Sequence, residues 1–372
     1  MMHSVFFAFV FLTLSIDGQS TWPIIGATYD TRDPHLSPSL IARAVSNTLR
    51  LNAVRIQSPS PRIVRSFIFS NTSLFFSVPN NFVNPFATNS SFTLNWIYKH
   101  VLPFYPRAKI ILISVGEDVV SRSLTPFLIP AIRNLHSSLI TLGIRTIRVS
   151  TTFSLANLIE SPFPPSSATF KETRLKHVIE PFLEFLDDTN SPFLVNIYPY
   201  TTYRANHQIP LGYALFQNHP FNFRDDIVTG VRYKNLFDMM VDSVVTSMAV
   251  LGYPNIPIVI AETGWPSCSS IAGEMADANP ELAEVYLRGL VAHMRSGEAT
   301  PLRKEGIAGA YIYKLTDENV TSRLTRRDWG ILYANLSKKY HDLQLSTSCA
   351  LTLYMSTIVI YVPLLLMPLI TR

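Results

Sequence analysis

The sequence predicts a single (β/α)8 barrel of the TIM type. Three observations carry that expectation. Eight short apolar runs recur along the chain, and longer stretches with helical periodicity lie between several of them. Neither a G-x-G-x-x-G turn nor a P-loop is present, although a doubly wound sheet would usually carry one. With 372 residues and 47% hydrophobic content, the chain can bury one large core.

The expected strands are, in order, Ile24 to Tyr29, Ala53 to Gln57, Leu74 to Pro79, Lys109 to Val115, Thr146 to Phe153, Pro192 to Tyr200, Ile256 to Ala261 and Ile307 to Leu315. They read as near-continuous apolar runs, as strands covered on both faces do. Leu124 to Leu142, Leu236 to Leu251 and Leu282 to Met294 instead repeat apolar residues every three to four positions, the period of a helix with one buried face. Gly143 and Gly252 follow the first two as stops, and Pro38, Pro130 and Pro280 fall near helix starts or kinks.

Both ends carry apolar runs of a different kind. Val5 to Leu14, followed by small and polar residues to Gly18 and Ser20, has the pattern of a signal peptide over residues 1–20. Near the other end, Ala350 to Ile370 has about the ~20 residues that span a bilayer. It also divides into small residues (Ser346, Thr347, Ser348), a spacer to Thr357 and an apolar tail from Ile358, the pattern of a lipid (GPI-type) anchor signal. Pro363 and Pro368 count against a regular spanning helix, since each lacks a backbone donor. The expected division is a signal peptide (1–20), one barrel domain (21–345) and an anchor signal or membrane segment (346–372). It implies an extracellular domain, in the cell wall or held at the outer leaflet of the plasma membrane. Four N-x-S/T sequons, at Asn71, Asn89, Asn319 and Asn335, agree with an exported surface.

Composition narrows the function. The formal charge of +5 is spread without a long basic block, which argues against a nucleic-acid partner. Only two cysteines, Cys268 and Cys349, are present, so the fold must stand on its core without a disulfide framework. No Cys/His metal motif occurs, and no cofactor is expected.

Barrel enzymes place reactive groups at the carboxyl ends of their strands. Here those ends offer Tyr29-Asp30, Gln57-Ser58, Asn80-Asn81, Glu117-Asp118, Tyr198-Pro199-Tyr200, Glu262-Thr263-Gly264-Trp265 and Asp317-Glu318-Asn319. Carboxylates after the fourth and seventh strands suit glycoside hydrolysis. One carboxylic acid protonates the leaving oxygen, and the other attacks the anomeric carbon or activates water. Tyr198, Tyr200 and Trp265 offer flat apolar faces for sugar rings.

The chain resembles the plant family 17 glycoside hydrolases, the endo-1,3-β-glucanases, from about Ile25 to Tyr333. The resemblance rests on VPN (78–80), RNLHSSL (133–139), SPFLVNIYPY (191–200), YALF (213–216), RYKNLFDMMVDSV (232–244), IVIAETGWPS (258–267), TPLR (300–303) and DWGILY (328–333). It implies a (β/α)8 barrel and retaining hydrolysis of β-1,3-glucan. Glu262 matches the family nucleophile. Tyr29, Asn80, Asn196, Tyr198, Tyr200, Trp265 and Glu318 are the expected substrate-binding positions.

The chain departs from the family at the acid/base. The family's VGNE reads Val115-Gly116-Glu117-Asp118, so an ungapped match puts Asp118 on the acid/base and Glu117 on the preceding Asn. An aspartate is one methylene shorter than a glutamate, and a misplacement of ~1 Å can cost about a hundredfold in rate. Glu117 is the alternative acid, but adjacent strand residues face opposite ways, so using it requires a local distortion. The family's NYG reads Thr28-Tyr29-Asp30, and its R-L-Y-D reads Arg55-Ile56-Gln57-Ser58. Beyond the eighth strand Glu318 is kept, whereas a Lys and a later Glu are replaced by Thr321 and Arg326. The expected function is therefore retaining endo-hydrolysis of β-1,3-glucan, weakened by the altered motif. The alternative is a catalytically inactive β-1,3-glucan-binding surface protein.

Overall fold

The structure, a computed structural model, describes residues 23–31, 36–121, 123–318 and 326–345. The expected signal peptide, the C-terminal apolar run, Asn319, Thr321 and Cys349 lie outside these residues.

Eight parallel strands close into a barrel, as expected: β1 (Ile24–Tyr29), β2 (Ala53–Gln57), β3 (Ser73–Val78), β4 (Lys109–Glu117), β5 (Arg148–Ser154), β6 (Phe193–Asn196), β7 (Ile258–Thr263) and β8 (Gly309–Ile312). Closure is made by β1, which pairs with β2 on one side (Ala27 opposite Val54) and with β8 on the other (Ala27 opposite Ile312). The sixth expected strand is shorter than its apolar run, because Pro199 starts a helix, Pro199–Ala205. Proline at a first helical turn loses no hydrogen bond there.

Six helices matter most here, of which the third, fifth and sixth follow the three periodic stretches. They are α1 (Pro38–Arg43), α2 (Ser90–His100), α3 (Thr125–Thr141), α4 (Glu172–Thr189), α5 (Leu236–Val250) and α6 (Pro280–Ser296). Local chemistry sets several of their ends. Asn89, Asn235 and Asn279 cap α2, α5 and α6 by accepting from the backbone N–H three residues on. Gly143 and Gly252 lie just past α3 and α5 with φ of 76° and 90°, where a side chain would be strained. The sequon residues Asn71, Asn89 and Asn335 are exposed. No helix among the described residues is long and apolar enough to cross a membrane.

Two apolar layers result. A large one fills the space between the strands and the helices, and a small one fills the barrel interior with Ala53, Phe75, Leu112, Leu194, Val259, Ala261 and Tyr311. Strand side chains alternate between these layers. On β2 the inward positions are Ala53, Arg55 and Gln57, so the interior turns from apolar to charged to polar toward the carboxyl end.

Candidate active site

The first polar layer of the interior is built around Arg55. Its guanidinium lies over the Phe75 ring, 5.4 Å from the centroid, with Tyr311 packed edge-on against that ring at 5.3 Å. Arg55 is fully buried, so its charge needs partners. Nε donates to Ser77 Oγ at 2.8 Å, Nη1 donates to Glu262 Oε1, and Nη2 donates to Glu117 Oε2 at 3.2 Å. Burial alone would lower the guanidinium's pKa, but the carboxylates of Glu262 and Glu117 outweigh it and hold it above its ordinary value.

Two strand irregularities bring those carboxylates inward. Along β4 the register against β5 moves from Ser114 opposite Ser150 to Glu117 opposite Thr152, so β4 spends three residues where β5 spends two. Gly116 takes up the bend at φ 76°, and a β-carbon there would meet Val119 at 2.6 Å. Along β7 the register against β6 slips between Ile260, opposite Val195, and Glu262, opposite Asn196. Val259 and Ala261 already face the interior, and the slip lets Glu262 face it too.

Glu262 is nearly buried and is held from both sides. Its Oε1 accepts from Arg55 and, at 3.1 Å, from Gln57 Nε2, while Oε2 accepts from the Tyr198 hydroxyl at 2.6 Å. Burial pushes its carboxyl above the ordinary glutamate range; Arg55 opposes that, and the neighbouring Glu117 charge adds to it. The Tyr198 hydroxyl is likewise pushed well above its usual pKa, by burial and by the Glu262 charge, and so stays a donor.

Glu117 faces the same cluster. Its Oε1 accepts from Asn196 Nδ2 at 2.7 Å, and its backbone is clamped by Asn80, which donates to the Glu117 carbonyl at 2.9 Å and accepts its N–H at 2.7 Å. Asn196 Oδ1 is buried and has no hydrogen-bond partner among the described residues.

The expected residues thus separate into two groups. Glu262, Glu117, Asn196 and Tyr198 come together around Arg55, with Asn80 behind them. Asp118 does not join them. It sits in the left-handed region at φ 49°, and its Oδ1 accepts the N–H of Ser154, 2.5 Å away at the start of the short helix Leu155–Leu158.

The expected aromatic platform needs a correction. Tyr200 and Trp265 are 0% and 1% exposed and pack edge-on against each other at 5.0 Å, and Trp265 Nε1 donates to the Asp277 carbonyl. Neither ring has a face open to a sugar. Tyr29, 3% exposed, belongs to the layer between strands and helices. Glu318 is partly exposed beyond β8, and its carboxylate accepts from Lys314 Nζ at 2.8 Å.

Half-buried aromatics occur instead around Tyr198, whose ring is edge-on to Trp329 at 5.3 Å and to Tyr313 at 6.2 Å. Gly264 makes room for this group, since a β-carbon there would lie 2.6 Å from the Tyr313 carbonyl oxygen. Trp329 follows a two-residue strand, Arg327–Asp328, paired with Cys268–Ser269. A two-pronged ion pair pins that strand: Arg327 Nε and Nη2 donate to Glu274 at 2.7 and 2.6 Å. These bonds and Ser269 hold the Glu274 carboxyl down to about 2 against the cost of burial.

Arg55, Gln57, Trp329 and Tyr313 were not among the expected site residues. Two of them had a signal tied to position in the barrel: Arg55 as a charged residue at an inward position of an otherwise apolar strand, and Gln57 as the residue at that strand's carboxyl end.

The comparisons agree with this architecture. The family model described as Glycosyl hydrolases family 17 matches residues 29–343. Glucan endo-1,3-beta-glucosidase 2 of Arabidopsis thaliana is 36% identical over 299 residues, 78% of this chain and 58% of that protein. A glucan endo-1,3-beta-glucosidase of Nicotiana tabacum is 33% identical over 305 residues, 80% of this chain and 83% of its own length. Among solved structures, CJP38, a beta-1,3-glucanase and allergen of Cryptomeria japonica pollen, superposes with a TM-score of 0.79 at 31% identity, covering 87% of this chain and 99% of its own. The chain spans about three-fifths of the length of the first Arabidopsis relatives it matches. A family match over most of the chain, on a closed eight-stranded barrel with paired glutamates at the ends of β4 and β7, shows that the chain belongs to glycosyl hydrolase family 17.

Proposed function

We propose that the protein hydrolyses β-1,3-glucan with retention of configuration, outside the cell, in the cell wall or tethered to the plasma membrane. The single observation that carries this reading is the placement of Glu262, a nearly buried carboxylate at the carboxyl end of β7 whose oxygens accept from Arg55, Gln57 and Tyr198. Such donors fix its orientation and favour the ionised form that can attack an anomeric carbon. Glu117 supplies the second carboxyl group of the pair, in place of the Asp118 expected from an ungapped match to the family motif. The buried acceptor Asn196 Oδ1 is suited to a sugar hydroxyl, and Trp329 and Tyr198 to the ring face. The relatives' printed activity, glucan endo-1,3-beta-glucosidase, supports the substrate assignment.

One observation favours a second reading, a surface protein that binds β-1,3-glucan without cleaving it. Glu117 accepts from Arg55 and Asn196, one donor on each oxygen. Reducing-sugar release from a soluble β-1,3-glucan, measured beside Glu262→Gln, separates the two. Release that disappears in the variant supports the hydrolase. Oligosaccharide binding without release by the folded protein supports the second reading.

A further inference from the structure

We propose that Asn335 carries an N-linked glycan whose first sugar lies on the ring of Tyr333. The proposal rests on the extracellular reading above, since such glycans are attached to exported chains.

The site is a closed turn. Asn335, Leu336 and Ser337 form one of the chain's N-x-S/T triplets. The Leu336 N–H donates to the Tyr333 carbonyl at 2.9 Å, and the Tyr333 N–H donates to the Ser337 carbonyl at 3.0 Å. Leu332 and Lys338 bridge antiparallel just outside it. Leu336 lies in the left-handed region at φ 67°, as the last residue of a short hairpin loop often does. Glycine would suit that position better, so a further contact that holds the turn should be felt.

Two features of the turn suit a glycan. First, the exposed Asn335 side chain bonds within the protein through Oδ1, which accepts from the Ser337 N–H at 3.0 Å and from the Ser337 hydroxyl at 2.7 Å. Neither bond uses Nδ2, the atom that takes the sugar. Second, Tyr333 stands two residues before Asn335 across the same turn and is 46% exposed. The buried Lys339 ammonium lies 5.4 Å from the ring centre and covers it from the protein side. The rest of the ring offers a flat apolar face to a sugar attached next to it.

The other triplets among the described residues lack one feature or the other. The residue two before Asn89 is Ala87. Asn71 follows Phe69, which is 79% exposed, but no backbone hydrogen bond among the described residues joins Phe69 to Thr72 or Ser73. The packed sugar is therefore assigned to Asn335.

In the attachment step, Nδ2 gives up one proton to the transferring enzyme and bonds to the anomeric carbon of an oligosaccharide carried on a lipid pyrophosphate. The bond from that carbon to the pyrophosphate oxygen breaks, and its electron pair leaves with the pyrophosphate.

The test expresses the full chain and its Tyr333→Ala variant in a eukaryotic secretory host, and maps peptides of the exported protein by mass. The expected result is a hexosamine-based glycan on the Asn335 peptide, removed by a glycan-cleaving amidase. Thermal denaturation before and after that treatment reads the ring contact. Loss of the glycans should lower Tm by about 2 °C more in the unaltered protein than in Tyr333→Ala. Glycans elsewhere contribute equally to both proteins and cancel. An exported protein with an unmodified Asn335 would overturn this proposal and leave the hydrolase reading untouched. A modified Asn335 with equal losses of Tm in the two proteins would overturn the placement of the sugar on Tyr333. Failure of the chain to enter the secretory pathway would overturn both this proposal and the extracellular reading.

Discussion

Arg55 on β2 and Glu262 at the end of β7 form a buried ion pair across the barrel, and the same guanidinium reaches Glu117 on β4. One side chain thus sets the relative placement of both carboxylates. Removing it leaves the nearly buried Glu262 charge without its cation and takes one donor from the more exposed Glu117. We expect Arg55→Met to cost about 3–5 kcal/mol by urea denaturation, the range for breaking one half of a buried pair. The double variant Arg55→Met with Glu262→Gln should recover part of that loss, because it removes the buried charge that Arg55 had paired.

The pH dependence follows from the burial of Glu262. Its carboxyl lies above the ordinary glutamate value of 4.5, and attack requires the ionised form. Activity should therefore fall on the acid side at a pH above 4.5, and kcat/KM measured against pH with a dinitrophenyl donor checks this. An acid limb centred below 4.5 would contradict the placement of Glu262 as a buried nucleophile.

Glu274 has the opposite shift, down to about 2, through its bonds to Arg327. A carboxylate depressed on folding stabilises the protein above its unfolded value, and the stabilisation is lost as pH falls toward the folded value. Glu274→Gln should thus be less stable than the unaltered protein near pH 6, with the gap narrowing as pH falls from the ordinary glutamate value of 4.5 toward about 2. Since Arg327 lies two residues before Trp329, the same variant should raise KM for glucan. Denaturation at two pH values and steady-state kinetics read the two effects.

Asn80 holds the bent end of β4 through both faces of the Glu117 peptide. Asn80→Ala leaves a carbonyl and an N–H unpaired, for an expected loss of about 2 kcal/mol. Asn80→Asp keeps the acceptor but not the donor and should fall between the two. Thermal denaturation of the three proteins orders them.

Much of this was legible in the sequence, for reasons that differ by element. The eight strands show because both their faces are covered, so most read as near-continuous apolar runs such as IPIVIA. The helices α3 and α6 show because one face of each is buried and sets a period, whereas α5 shows its apolar spacing although nearly all of its residues are buried, Asp238, Asp242, Ser243 and Ser247 among them. Glu262 was visible through the ETGWPS motif. The facing of Glu117 was not, because strict alternation sends Glu117 and Asp118 to opposite sides and says nothing of which side is which once Gly116 bends the strand. The aromatic platform was misread for a related reason. Tyr200 and Trp265 follow strand ends in sequence, but a proline-started helix carries Tyr200 into the core, and Trp265 packs on it. Trp329 comes from a loop whose position depends on a partner 55 residues away, Glu274 acting through Arg327, and no local pattern encodes that.

The most direct test of the central claim is a covalent label. A 2-fluoro β-1,3-glucobiosyl fluoride needs no acid to react, and its glycosyl ester breaks down slowly. Intact mass followed by peptide mapping should show one added glycosyl group, on the peptide that contains Glu262. A label on the peptide containing Glu117 and Asp118, or no label on a folded protein that still binds β-1,3-glucan oligosaccharides, would contradict the account.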